Sequence, residues 1–118
     1  MSQFPVIKTA IPKKRYQIAE YAVTLLGEVD SGDNTNYQYI MAFVPDGAAQ
    51  PVLYVCAEKV PPNQRHAGSH QVRVVNSAMS EVVDQGDQWR DLDVFAEQAL
   101  QLGMQVLGLS GETVAQLM

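Results

Sequence analysis

Two segments in the middle of the chain, Tyr37 to Val44 and Val52 to Glu58, are apolar on both faces of an extended strand. Successive side chains alternate across a pleat, so Tyr37, Tyr39, Met41 and Phe43 point one way while Ile40, Ala42 and Val44 point the other. Strands of that kind need cover on both sides, and the chain offers only one long helical pattern to provide it. The face opposite the helix is therefore expected to meet a partner. A symmetric homodimer supplies the missing layer with the least additional machinery, with Tyr37, Tyr39 and Phe43 as its aromatic anchors and some help from the N-terminal arm.

The helix is read from apolar residues recurring at spacings of three and four. Trp89, Leu92, Ala96, Ala99, Gly103 and Val106 form the stripe, and Phe95, Leu102 and Leu107 widen it. Asp87 is the expected N-cap, Asp91 and Asp93 suit the positive end of the helix dipole, and Gly108 is the expected stop. Gly103 falls on the buried stripe, where a missing side chain permits close approach to the sheet.

Before the two central strands, the apolar run Phe4 to Ile11 is bracketed by Pro5 and Pro12, which limits it to an edge strand or an extended arm. From Arg15 to Glu28 the apolar parity switches: Tyr16 and Ile18 share one register, Tyr21, Val23 and Leu25 the other. A β-bulge near Ala19 or Glu20 accounts for the switch, as does a strand apolar on both sides, and the bulge is the preferred reading. Asp30 to Asn36 is dense in turn-forming residues and reads as a hairpin loop. Pro45-Asp46-Gly47 turns the chain from the second strand toward the third. Val60 to Ser69, with Pro61 and Pro62, cannot continue a central strand and forms a long loop. His70 to Asn76 alternates, with Val72 and Val74 inward and Gln71 and Arg73 outward; Ser77 to Asp84 either continues it or forms a short fifth strand. A short tail helix from Ser110 is expected.

These elements predict an α+β domain: an antiparallel meander of four to five strands with one long C-terminal helix on one face. Residues 1–14 are expected as an extended arm, 15–84 as the sheet, 87–107 as the helix and 108–118 as a tail. A length of 118 residues suits one such domain. Hydrophobic residues make up 47% and charged residues 18%, a balance that favours folding over disorder.

Charge and cysteine usage narrow the function classes. A formal net charge of −5 disfavours nucleic acid, whose phosphates need Lys and Arg. The basic cluster Lys13, Lys14 and Arg15 reads as a solvated strand entrance. No stretch approaches the roughly 20 apolar residues of a membrane helix, and the N-terminus lacks a signal-peptide pattern, so a membrane is not expected and the cytoplasm is the expected compartment. Cys56, the one cysteine, excludes an intrachain disulfide or a thiolate zinc cage and reads as structural.

No catalytic motif stands out. The acidic groups Glu81, Asp84, Asp87, Asp91 and Asp93, and Asp30, Asp33, Asn34 and Asn36, fail calcium-loop spacing and are read as capping and turn chemistry. No cofactor or metal is expected. The reading is a non-enzymatic interaction module. The alternative is a small enzyme or ligand-binding domain with its site at the 61–70 loop, where Arg65, His66 and His70 would face an apolar pocket.

Overall fold

A computed structural model describes residues 4–64 and 68–117. Among these residues seven antiparallel strands form one sheet: β1 (Ile7–Ile18), β2 (Tyr21–Ser31), β3 (Tyr37–Pro45), β4 (Leu53–Lys59), β5 (His70–Asn76), β6 (Ser80–Gly86) and β7 (Val114–Gln116). The spatial order is β6-β5-β4-β3-β2-β1-β7, a six-strand meander with β7 added antiparallel beside β1 after the helix. Helix α1 (Leu92–Leu107) packs on one face, preceded by a 3-10 turn over Asp87–Arg90.

The expected fold class holds, with seven strands where four or five were expected. The parity switch near Ala19 is a chain reversal, not a bulge: Ala19 adopts φ 49° and Ile18 pairs with Tyr21 across a tight turn, so one supposed strand is two. Residues 7–14 are the first half of β1, and Pro12 is accommodated because β7 covers only Tyr16 to Ile18, leaving this part of β1 an open edge. Ser80 to Gly86 is a separate strand, and the expected tail helix is instead β7.

Beneath α1 lies the larger core. Val23, Leu25, Met41, Phe43, Leu53, Val55, Val72 and Val74 from the sheet meet Phe95, Ala96, Ala99 and Met104 from the helix. Gly103 sits over Phe43 so closely that a Cβ there would run into the ring, which is why this position carries no side chain. Val106 was expected on the buried stripe but is 41% exposed; Met104 is buried near that end of the helix instead. The N-cap is Asp91, whose Oδ1 accepts the Val94 N–H at 3.0 Å, because the 3-10 turn delays the helix by one turn; Asp87 instead accepts the Ser69 N–H at 2.8 Å. Gly108 ends the helix as expected, in the left-handed conformation at φ 71°.

On the other face, Tyr37, Ile40, Ala42, Tyr54, Cys56 and Val75 are buried as a second cluster, with Phe4, Ile7, Leu26 and Val29 packed against them. The Phe4 ring lies 5.3 Å from that of Tyr54, tilted by 51°. Much of the apolar cover on this face thus comes from the chain's own first residues and the β1-β2 hairpin.

Candidate functional site

A cavity of about 460 Å³ opens on the face opposite α1, lined by Phe4, Val6, Asp33, Thr35, Tyr37, Glu58, Arg73 and Ser80. Its floor is set by strand register. Glu58 pairs across the ladder with Gln71, and Cys56 with Arg73, so the alternation of β4 and β5 puts Glu58, Gln71 and Arg73 on one face. Ser80 and Val82, the partners of Val75 and Arg73 on β6, continue that face outward. Tyr37 reaches it through an irregularity: it pairs with Glu58 while Tyr39 pairs with Ala57, so the extra residue between them reverses the parity.

The floor is a connected polar network. The Glu58 side chain is only 7% exposed, and a carboxylate so placed needs compensation. Its Oε1 accepts from Gln71 Nε2 at 2.8 Å, and Arg73 Nε donates to both its oxygens at 3.2 and 3.0 Å. Arg73 Nη1 then donates to Ser80 Oγ at 3.2 Å.

The second wall is the β2-β3 loop, tied to the N-terminal segment through Asp33. Its Oδ2 accepts the Val6 N–H at 3.1 Å and the Tyr37 hydroxyl at 2.9 Å, and its Oδ1 accepts the Thr35 N–H at 3.0 Å. The Gly32 N–H closes the clasp on the Val6 carbonyl at 2.7 Å. Burial works against the Asp33 carboxylate, but hydrogen bonds from Val6, Thr35, Tyr37 and Ser31 outweigh it and hold its carboxyl below the ordinary value. Burial, with the bond to Asp33, pushes the Tyr37 phenol well above its ordinary value. Burial likewise pushes the Cys56 thiol well up; the Glu58 charge adds to this and the Arg73 charge opposes it.

The residues singled out from sequence are distributed as follows. Tyr37 lines the cavity. Phe43 and Tyr39 lie on the helix side: Phe43 is fully buried, and Tyr39 stacks on Phe95 at 5.7 Å and donates its hydroxyl to the Arg90 carbonyl at 3.1 Å. Arg65 and His66 lie outside the described residues. His70 is buried at the start of β5, with Nδ1 2.8 Å from Ser69 Oγ and Nε2 3.3 Å from Gln38 Oε1.

Asp33, Glu58, Arg73 and Ser80 were not singled out as a site. The available signal was Glu58, a charge inside a strand otherwise apolar on both faces; Arg73, read as solvated, is its partner. Two cations of the basic cluster are engaged within the chain, Lys13 with Glu28 at 2.8 Å and Lys14 with Asp93 at 3.1 Å. Among the described residues no group of three or more His, Cys, Asp and Glu side chains is placed to hold a metal ion, and no helix is long and apolar enough to cross a membrane.

No family model matches this chain, and no curated protein or solved structure matches it either.

Proposed function

We propose that this protein is a non-enzymatic interaction module that holds a protein partner across the cavity on the sheet face opposite α1. The observation that carries this reading is the state of the cavity's ionisable groups. The Asp33 oxygens accept three hydrogen bonds and the Glu58 oxygens are taken by Gln71 and Arg73. The Tyr37 phenol and the Cys56 thiol beneath the floor are both pushed toward their neutral forms. A general base works best with a pKa near the operating pH and a nucleophile in its deprotonated form, whereas Asp33 is held below the ordinary carboxylate value and Tyr37 and Cys56 are pushed above theirs. What remains is a shaped polar floor between apolar side chains. Val6 is 53% exposed, and Val82, the ladder partner of Arg73, is 44% exposed. A polar floor with aliphatic flanks suits recognition.

A fragment screen by two-dimensional NMR on the labelled full chain tests this. Fragments from a set spanning neutral, anionic and cationic members should converge, where they bind, on the amides of Tyr37, Arg73 and Ser80. Convergence on the 61–70 loop would favour the ligand-binding or enzymatic alternative there, and a set with no hit at the cavity would overturn the reading. A second copy of the chain is the other occupant that the exposed valines admit, and solution mass distinguishes it.

A further inference from the structure

We infer that the cavity takes an uncharged extended peptide segment of its partner, whose backbone carbonyls accept from Arg73 and Ser80 while an aliphatic side chain lies among Phe4, Val6 and Val82. The inference rests on the binding reading above and specifies the ligand. Hydrogen-bond capacity is the first observation. Among the described residues, the Glu58 and Asp33 carboxylates each already accept three hydrogen bonds, whereas Arg73 and Ser80 keep donors free. A guanidinium carries five N–H groups. In Arg73 the Nε–H serves Glu58 and one Nη1–H serves Ser80. Three remain, on a side chain that lines the cavity. Ser80 Oγ accepts from Arg73, so its own hydrogen is still available to donate. The complementary ligand brings acceptors.

Charge decides which acceptor. A carboxylate would make the stronger individual bond to Arg73. That guanidinium is already neutralised by Glu58, however, and Asp33 adds a further negative charge to the same lining. The lining therefore carries a formal charge of −1, within a chain of −5. An anion meets net repulsion, while a peptide carbonyl gains the same donors without it. Apolar side chains complete the match: exposed Val82 is the ladder partner of Arg73, and exposed Val6 lines the cavity together with the half-buried ring of Phe4. An amide next to a branched side chain has both the acceptor and the apolar group that this arrangement accommodates.

The test uses two peptides that differ in one charge: acetyl-Thr-Val-Thr methylamide and acetyl-Thr-Val-Thr with a free carboxylate. Each is titrated into the labelled full chain. The neutral peptide should shift the Arg73 Nε–H and the Ser80 amide, and should bind about fivefold more tightly than its anionic twin, the factor expected for one like charge at about 8 Å in an effective dielectric of about 40. Because Arg73 supports the buried Glu58, the variants are Ser80→Ala and Val82→Asp, both at the sheet edge. Ser80→Ala should weaken the neutral peptide by roughly threefold, the scale of one lost hydrogen bond. Val82→Asp should weaken it at least as much. Tighter binding of the carboxylate, or no response to either variant, would overturn the inference while leaving a binding cavity in place. Failure of both peptides to move the cavity resonances would overturn the inference too, and the fragment screen would then separately decide whether the site binds anything.

Discussion

Replacing Gly103 by alanine sets two known effects against each other at one position. Helix propensity favours the change: glycine inside a helix costs roughly 0.5 to 1 kcal/mol relative to alanine. Packing opposes it. The added methyl would run into the Phe43 ring, and that ring is fully buried against the core, so it cannot swing into solvent to make room. Overpacking of this kind costs roughly 1 to 3 kcal/mol, and the close approach puts the expected value toward the upper end. Gly103→Ala should therefore destabilise the protein by about 1.5 kcal/mol net, or roughly 6 °C in melting temperature for a domain of this length. Urea denaturation followed by far-UV circular dichroism measures it. The companion variant Phe43→Leu removes the ring atoms that obstruct the methyl. In a double-mutant cycle the two changes should couple by about 1 kcal/mol, the alanine being better tolerated on the leucine background. A stabilised Gly103→Ala protein with no coupling to position 43 would show that propensity governs here and that α1 is not pressed onto Phe43.

The remaining predictions concern the face opposite the helix. Removing Arg73 leaves the Glu58 carboxylate buried, whereas removing the Glu58 charge leaves an arginine that reaches solvent. Arg73→Ala should thus cost about 2 to 4 kcal/mol and Glu58→Gln clearly less, by chemical denaturation; the reverse order would contradict the burial of this pair. The folded Asp33 carboxyl lies below its unfolded value of 3.8, so its stabilising contribution is present above that value and is lost as pH falls through the lower folded one. Asp33→Asn should flatten the acid limb of a plot of urea midpoint against pH between about 5 and 2; an unchanged slope would remove Asp33 from the clasp. Cys56 is fully buried with its thiol pushed up, so a thiol reagent at pH 7 should label the native protein at least about 100-fold more slowly than the unfolded chain. Because Phe4, Ile7, Leu26 and Val29 cover the apolar residues of this face, sedimentation equilibrium at micromolar concentration should give 13.0 kDa. Twice that mass would identify a second copy as the occupant.

Local patterns in the sequence determined much of the fold. The helix stripe through Phe95, Ala96 and Ala99, the stop at Gly108, the turn-rich segment from Asp30 to Asn36 and the doubly apolar strands can each be read from about a dozen neighbouring residues, because alternation, helical spacing and turn chemistry act over that range. Where two structures share a local signature, only long-range pairing decides between them. The parity switch at Ala19 fits a bulge as well as a reversal, and the ladder of β1 on β2 makes it a reversal. Val106 repeats at a helical spacing, yet whether it is covered depends on how far the sheet extends beneath the helix end. The cavity belongs wholly to the tertiary structure. One irregular step between Tyr37 and Tyr39 puts those aromatic rings on opposite faces, and the register of β4 on β5 brings Glu58 to Arg73. A buried carboxylate requires a partner, but the sequence alone leaves open which strand supplies it; here it comes from fifteen residues away along the chain.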